Sequence, residues 1–217
     1  MSSDTSSSPR LCPVPVVGVT GGIGSGKSSV SRWVAERYPV LLVDADRLGH
    51  AALTVPQIQE QLHAAFGAEI FGASGDIDRR RLAQLVFGDD PERQAARRRL
   101  EQIVHPEIRR GMEQQLAMVD PNIHCGVVLD AALLQEAGWG SACDAVVFID
   151  APVEQRMKRV QEQRGWTPEE LAARERSQWP PERKRSEATH TIFNGGPLET
   201  AGRELWEILS DLNAPST

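Results

Sequence analysis

The chain has 217 residues, of which 40% are hydrophobic and 25% are charged, and its formal net charge at pH 7 is −6. This composition is that of a globular protein with a sizeable core, and the acidic balance argues against a general nucleic-acid binder. No apolar run approaches the roughly 18 residues that a membrane-spanning helix needs. The cysteines, Cys12, Cys125 and Cys143, lack metal-ligand spacing, and their odd number fits a reducing compartment. We expect Cys125 and Cys143 to be buried beside strands.

Residues 1–13 are rich in serine and proline and have neither the basic start nor the apolar stretch of a signal peptide. We therefore predict a disordered tail over residues 1–13 and a single domain over residues 14–217.

Residues 21–28, with the sequence GGIGSGKS, match the phosphate-binding pattern of a glycine, four free positions and Gly-Lys-Ser. The apolar run over residues 14–20 predicts a buried strand before this loop. Val30, Trp33 and Val34 fall at helical spacing and predict a helix after it. Glycines let several backbone N–H groups point at one anion, and the start of a helix adds a positive dipole.

The sequence therefore predicts a site for a nucleoside triphosphate. Lys27 is expected to counter the charge of the β- and γ-phosphates, and the hydroxyl of Ser28 is placed to bind Mg²⁺. The residues expected to contact the phosphates are Gly22, Ile23, Gly24, Ser25, Gly26, Lys27, Ser28 and Ser29.

Further buried strands are predicted by four apolar runs, over residues 40–44, 127–130, 146–150 and 191–193. Helical patterns separate these runs, which indicates a parallel α/β sheet with right-handed crossovers. The strand over residues 40–44 ends in Asp44-Ala45-Asp46, at the carboxyl end where open α/β sheets place their functional groups.

Three segments have purely helical patterns. Residues 56–119 contain no strand signal and predict a helical insertion that recognises the second substrate, with a kink or break at His105 because Pro106 follows it. Residues 153–188 are helical and basic, and Thr167, Pro168 and Glu170 predict a helix start with a capping box. Apolar residues from Leu198 to Leu212 predict a terminal helix packed on the sheet.

Basic residues concentrate in two of these helical segments. Nine arginines lie between residues 79 and 110, and nine lysines and arginines lie between residues 156 and 185, which together make 18 of the 24 in the chain. Most of them individually fit solvated helix faces. As groups, they suggest a site that receives polyanionic ligands from two sides, because arginine suits phosphate.

The phosphate loop followed by Val43-Asp44-Ala45-Asp46 resembles the opening of dephospho-coenzyme A kinases. The similarity extends over about residues 16–210 and includes Asp78-Arg79, His105-Pro106 and Leu133-Leu134-Gln135-Glu136. It also includes Arg159, Arg164, Gln178, Lys184, Ala188 and Asn194. The chain departs from the family pattern at Ala132, Gln135, Thr189 and Phe193.

The resemblance implies a three-layer P-loop NTPase fold of the nucleoside-monophosphate-kinase type. It would have a parallel sheet, a helical acceptor-binding insertion over about residues 56–119 and a helical lid over about residues 153–188. The implied reaction is phosphorylation of the ribose 3′-hydroxyl of dephospho-coenzyme A by ATP with Mg²⁺, the last step of coenzyme A biosynthesis. The implied enzyme is a cytoplasmic monomer or weak homo-oligomer whose partners are small molecules, not nucleic acid or membrane.

The resemblance also suggests roles for individual residues. Asp46 is preferred to Asp44 as the catalytic carboxylate that orients the acceptor hydroxyl; the alternative is that one of the two caps the next helix. Arg159 and Arg164 are the candidates for the lid that closes over the γ-phosphate, with Arg156 as a third. The other assignments place Asn194 on the nucleotide side, Arg79 and His105 on the acceptor side, and Asp130, Asp150 or Glu136 near the metal. For His105, the alternative is a purely structural residue at a helix break.

Three other functions compete with this one. The nearest is a P-loop kinase for another small acceptor, such as a nucleoside or nucleoside monophosphate. A GTPase or mechanical ATPase is disfavoured because neither an Asn-Lys-x-Asp motif nor a Leu-Ser-Gly-Gly-Gln motif occurs. A non-catalytic nucleotide-binding or nucleic-acid-binding module is disfavoured by the acidic net charge and by the presence of Lys27, Ser28 and Asp46.

Overall fold

The computed structural model describes residues 12–88 and 90–214. The predicted disordered tail lies outside the described residues except for Cys12 and Pro13. Cys12 is buried, whereas Cys125 and Cys143 are only partly buried, so the expectation of full burial for these two was wrong.

The described residues form one five-stranded parallel sheet in the order β2-β3-β1-β4-β5. The strands are runs of mainly apolar, β-branched residues, as expected when helices cover both faces of a sheet. Their positions confirm the predicted strands. They are β1 (Val16–Gly21), β2 (Val40–Asp44), β3 (Gly126–Asp130), β4 (Ala145–Asp150) and β5 (His190–Phe193).

Helices lie on both faces of this sheet, which confirms the predicted three-layer α/β fold. On one face α1 packs against α9, and on the other α2 packs against α5. The α-helices are α1 (Lys27–Ala35), α2 (Ala45–Ala52), α3 (Pro56–Phe66), α4 (Arg79–Val86), α5 (Pro91–Ala117), α6 (Val153–Arg164), α7 (Pro168–Glu175), α8 (Pro181–Ser186) and α9 (Leu198–Asn213). Short 3-10 helices span Ala68–Ile70 and Trp139–Ala142.

Between β2 and β3, the described residues form helices and no strand, apart from one isolated bridge between Phe71 and Ile77. Of the kink or break predicted at His105, the break was wrong, because α5 continues through Pro106. Its buried face (Val104, Ile108, Met112, Leu116) has the same four-residue spacing on both sides of the proline. Core packing along that face offsets the hydrogen bond that Pro106 cannot donate.

The segment between β4 and β5 contains α6, α7 and α8. The predicted start of α7 is confirmed: Thr167 accepts a hydrogen bond from the Glu170 amide, and the Glu170 carboxylate accepts one from the Thr167 amide. None of the described helices combines the length and the apolar composition that crossing a membrane requires.

Candidate active site

The carboxyl ends of the three strands β1, β2 and β3 meet at one edge of the sheet. In the register of the sheet, Asp130 at the end of β3 lies opposite Val19 of β1 and Asp44 of β2. The loop that follows β1 therefore lies beside the acidic residues that end the other two strands. This edge is where parallel α/β sheets bind their ligands.

The phosphate loop connects β1, which ends at Gly21, to α1, which begins at Lys27, as predicted. Gly24 and Gly26 have φ angles of 77° and 87°. Side chains rarely adopt this left-handed conformation, so glycine is required at both positions. The first amide groups of a helix have no carbonyl partner within it, so those of Lys27 and Ser28 are available to an anion.

Side chains from the lid segment and from the end of β5 hold the loop through its carbonyl oxygens. Arg159 donates to the Ser25 carbonyl at 3.0 Å and to the Asn194 carbonyl at 3.1 Å. The buried Asn194 side chain donates to the same Ser25 carbonyl at 2.8 Å, and Arg156 donates to the Ile23 carbonyl at 3.2 Å. The loop is therefore fixed in shape before any ligand arrives.

Lys27 is the positive centre of the site. Its Nζ lies 2.8 Å from Oδ1 of Asp130, 3.3 Å from Oγ of Ser28 and 3.7 Å from Oδ2 of Asp46. Burial lowers the pKa of Lys27, but the negative charges of Asp130 and Asp46 outweigh it, so its pKa is raised above the usual value. Lys27 is therefore a permanent cation at neutral pH.

The two aspartates at the end of β2 have different positions. Asp44 is the N-cap of α2 and accepts a hydrogen bond from the Arg47 amide at 2.9 Å. Asp46 lies in the first turn of α2, and its side chain is 60% exposed. The capping role thus falls to Asp44, and Asp46 faces Lys27 with an accessible carboxylate.

The site opens into two adjoining cavities of about 800 Å³ and about 720 Å³. The larger cavity contains the phosphate loop and Asn194, and the smaller one contains Arg79 and Trp139. Because the two share lining residues, they form one cleft with a phosphate end and a second end. The shared residues are Asp46, His50, His105, Ile108, Ala132, Leu133, Arg164 and Trp166.

The second end of the cleft is formed by side chains from separate elements. His105 of α5 meets Trp139 edge to face, with ring centroids 5.5 Å apart. Burial lowers the pKa of His105 and the nearby charge of Glu101 partly opposes this, so the imidazole is neutral at pH 7. Arg79, the first residue of α4, is exposed in the cleft wall.

The segment between β4 and β5, predicted as the lid, contacts the segment between β2 and β3 through stacked aromatic rings and guanidinium groups. The guanidinium groups of Arg164 and Arg174 lie 4.7 Å and 3.8 Å from the ring of Trp166. Arg174 also lies 5.7 Å from the ring of Phe87, which follows α4. These contacts place Arg164 at the cleft, next to the residues of the second end.

Several residues of the cleft were missed from the sequence. His50 had a usable signal, because it lies one helical turn after Asp46 on α2. Trp139 and Trp166 had none, because both lie in short connections whose position depends on tertiary packing.

The three acidic residues considered for the metal prove to have different partners. Asp130 pairs with Lys27 inside the site. Asp150 pairs with Arg185, and Glu136 pairs with Lys184. Of these three, Asp130 is the one that pairs with a residue of the phosphate loop.

The residues at the loop fit a magnesium ion. Mg²⁺ takes oxygen ligands, keeps several waters and uses phosphate oxygens, so the protein needs to supply only one or two ligands. The Ser28 hydroxyl and the exposed Asp46 carboxylate both lie within 4 Å of Lys27 Nζ, at 3.3 Å and 3.7 Å. Within the described parts of the chain there is no cluster of three or more His, Cys, Asp or Glu side chains that would form a dedicated metal cage.

Comparison with known proteins gives a consistent result. The family model described as dephospho-CoA kinase matches residues 15–199. A dephospho-CoA kinase of Thermus thermophilus is 40% identical over 198 residues, which cover 91% of each chain. That of Geobacillus kaustophilus is 37% identical over 202 residues, covering 91% of this chain and 96% of the relative.

Solved structures show the same fold. The crystal structure of TT1252 from Thermus thermophilus superposes with a TM-score of 0.74 at 40% identity, covering 92% of this chain and 98% of that one. A dephospho-CoA kinase from Campylobacter jejuni gives a TM-score of 0.61 at 23% identity, covering 91% and 96%. At that identity the second likeness concerns the fold alone.

Proposed function

The chain belongs to the dephospho-CoA kinase family, and we propose that it transfers the γ-phosphoryl group of ATP to the ribose 3′-hydroxyl of dephospho-coenzyme A. The products are ADP and coenzyme A, and the reaction is the last step of coenzyme A biosynthesis. One observation carries the mechanism: the accessible Asp46 carboxylate lies 3.7 Å from Lys27 Nζ, where the two cavities of the cleft join.

The phosphate loop binds the donor. The residues proposed to contact the ATP phosphates are Gly22, Ile23, Gly24, Ser25, Gly26, Lys27, Ser28 and Ser29, and Asn194 completes the nucleotide side. Lys27 neutralises the charge that develops on the transferring group, which is the main demand of a loose phosphoryl-transfer transition state. The Ser28 hydroxyl would hold Mg²⁺. When bound, this ion supplies further charge neutralisation of the β- and γ-phosphates.

Asp46 orients the acceptor. Its carboxylate accepts the hydrogen bond of the ribose 3′-hydroxyl, aims that oxygen at the γ-phosphorus and takes the proton late in the reaction. The position of Asp46 in the first turn of α2 supports this role, because the helix fixes the carboxylate relative to Lys27.

The two lid arginines have distinct proposed roles. Arg164 lines both cavities and contacts the transferring phosphate as the lid closes and excludes water. Arg159 supports catalysis through the phosphate loop, since its guanidinium already donates to the loop carbonyls of Gly24 and Ser25. The lid is proposed to span about residues 153–188.

Arg79 and His105 bind the acceptor at the second end of the cleft. The guanidinium of Arg79 suits a phosphate of dephospho-coenzyme A, and the neutral imidazole of His105 supplies one donor and one acceptor. We assign this recognition to the helical insertion over about residues 56–119.

We further propose that the enzyme acts in the cytoplasm, as a monomer or weak homo-oligomer, on small molecules and not on nucleic acid or membrane. The free thiols of Cys12, Cys125 and Cys143 support a reducing compartment.

A coupled ADP-release assay tests the function. The purified chain with ATP and Mg²⁺ should release ADP rapidly with dephospho-coenzyme A and far more slowly with AMP or adenosine. Phosphorus NMR of the product should show a new 3′-phosphate monoester. Faster turnover with AMP or adenosine would instead assign the chain to the rival class of nucleotide or nucleoside kinases.

A further inference from the structure

The phosphoryl-transfer machinery does not include Lys184, which is 1% exposed. Its Nζ hydrogen-bonds to three oxygens: the Ala132 carbonyl at 2.6 Å, Oε1 of Glu136 at 2.9 Å and Oε1 of Gln178 at 3.0 Å. These contacts use all three donors of the ammonium group. Burying a charge costs free energy unless the charge is fully paired, so the buried ammonium group requires these three partners.

Hydrogen bonds connect α8 with the loop after β3, and each of these two segments donates to the other. Lys184 of α8 donates to the loop after β3, and Gln135 of that loop donates back to the Lys184 carbonyl at 2.8 Å. The Trp179 amide donates to Glu136 at 2.9 Å. We call these residues the Lys184 network: Ala132, Gln135, Glu136, Gln178, Trp179 and Lys184.

The two connected segments are also two walls of the cleft. Ala132 and Leu133 line both cavities, including the end that contains Arg79. Ser177 and Gln178, which lie between α7 and α8 and which we call the base of the lid, line the larger cavity. The Lys184 network therefore fixes the distance between a wall of the second end and the base of the lid.

The phosphate loop is held by a different set of contacts, those of Arg159 and Asn194. Loosening the Lys184 network should therefore displace the wall at Ala132 and Leu133 while leaving these contacts of the phosphate loop intact.

We propose that Lys184 is a positioning residue that sets the wall at Ala132 and Leu133 against the base of the lid, and thereby the fit of dephospho-coenzyme A. This inference rests on the proposed function, because the acceptor is the molecule whose binding it predicts. Lys184 acts through Ala132 and Gln178, because its own ammonium group is buried and Lys184 is not among the residues that line the cleft.

The competing explanation is that Lys184 only neutralises the buried Glu136. Burial lowers the pKa of Lys184 and the charge of Glu136 opposes this, so the two residues depend on each other electrostatically. Oε2 of Glu136 is buried and has no hydrogen-bond partner among the residues that the structure describes. Removing the lysine alone would thus leave an uncompensated carboxylate.

Two variants separate these explanations. Lys184→Met keeps most of the side-chain length, removes the donors and leaves Glu136 charged, so both Tm and acceptor binding should suffer. In Lys184→Met/Glu136→Gln the buried charge is gone, and Tm should recover. If Lys184 is a positioning residue, both variants should raise KM for dephospho-coenzyme A about tenfold and leave KM for ATP within about twofold of wild type.

Leu209→Ala is the matched control for stability. Leu209 of α9 is fully buried in the core on the other face of the sheet. Its truncation should lower Tm while leaving both KM values unchanged. Gln135→Leu provides a milder test that does not disturb the ion pair, and it should raise KM for dephospho-coenzyme A about two- to threefold through the loss of one hydrogen bond.

Wild-type KM values in the double variant would overturn the proposal and leave Lys184 as a counter-charge for Glu136. Equal increases in both KM values would also overturn it, because the defect would then not be confined to the acceptor wall. If Lys184→Met does not fold, the double variant and Gln135→Leu decide the question. Absence of wild-type turnover with dephospho-coenzyme A would refute the proposed function, a result distinct from any of these.

Discussion

The two ends of the cleft are constructed in different ways. The phosphate end consists of one continuous loop between β1 and α1, with backbone groups as its main contacts and its carbonyls held by Arg159 and Asn194. The second end, where we propose that the acceptor binds and which we call the acceptor end from here on, consists of side chains from separate elements, including Arg79 of α4, His105 of α5 and Arg164 of α6.

This difference has a consequence for specificity. A loop of backbone amides recognises the phosphates of any nucleoside triphosphate and says little about the second substrate. Side chains that project from separate helices can change one at a time without disturbing the sheet, so we propose that the acceptor is selected there. Variants at the phosphate end should therefore reduce turnover, and variants at the acceptor end should weaken binding of dephospho-coenzyme A.

The largest effect is expected at the junction of the two ends. Asp46→Asn keeps the shape of the side chain but removes its charge and its ability to take the proton. We expect kcat to fall by about 10²–10⁴-fold, while calorimetry shows nearly unchanged ATP binding. A kcat within threefold of wild type would mean that another group orients the hydroxyl.

Lys27→Ala should lower kcat by about 10²–10³-fold, as expected for the loss of one preorganised charge, and should raise KM much less. It should also destabilise the fold by about 3–5 kcal/mol, because Asp130, whose side chain is 3% exposed, loses its partner. Lys27→Ala/Asp130→Asn is the control: Tm measured by calorimetry should recover while kcat stays low. Recovery of kcat together with Tm would show that the lysine acts through stability alone.

A paired comparison of two arginines tests the division between the ends directly. Arg159→Lys cannot hold the Ser25 and Asn194 carbonyls at once, because an ammonium group lacks the planar fork. We expect it to lower kcat/KM for ATP about tenfold. Arg79→Ala should instead raise KM for dephospho-coenzyme A by a similar factor and leave KM for ATP unchanged. Steady-state kinetics with each substrate varied in turn would contradict the division if Arg159→Lys raised KM for dephospho-coenzyme A or if Arg79→Ala raised KM for ATP.

The same contrast explains how much of the molecule could be predicted from sequence. The strands and the phosphate loop were predicted correctly because apolar runs and the GGIGSGKS segment are local signals. A break at Pro106, one of the two predicted alternatives, does not occur, because the buried face of α5 continues past the proline and packs in the core. Local propensity is only one contribution among several, and here packing in the core determined that the helix continues.

The acceptor end was the harder part to predict. Trp139 and Trp166 reach the cleft only through tertiary packing, and no spacing in the sequence relates them to Asp46. The Lys184 network was hidden for the same reason: Lys184 and Ala132 are 52 positions apart. In the sequence, Lys184 is one of many basic residues in a helical segment, and most such residues are solvated, so its burial could not be predicted.

The smallest expected effect concerns the pH dependence of stability at the acceptor end. Burial lowers the pKa of His105 in the folded chain, so the unfolded chain, with a histidine pKa of about 6.5, binds the proton first as the pH falls. The stability due to the neutral imidazole is therefore complete above about pH 6.5 and is lost as the pH decreases towards the folded-state pKa. His105→Gln should show a smaller decrease in Tm than the wild type between about pH 7.5 and pH 5.5, measured by scanning calorimetry. Equal decreases in both proteins would mean that His105 is solvated in the folded state, and that the acceptor end is more open than its contact with Trp139 indicates.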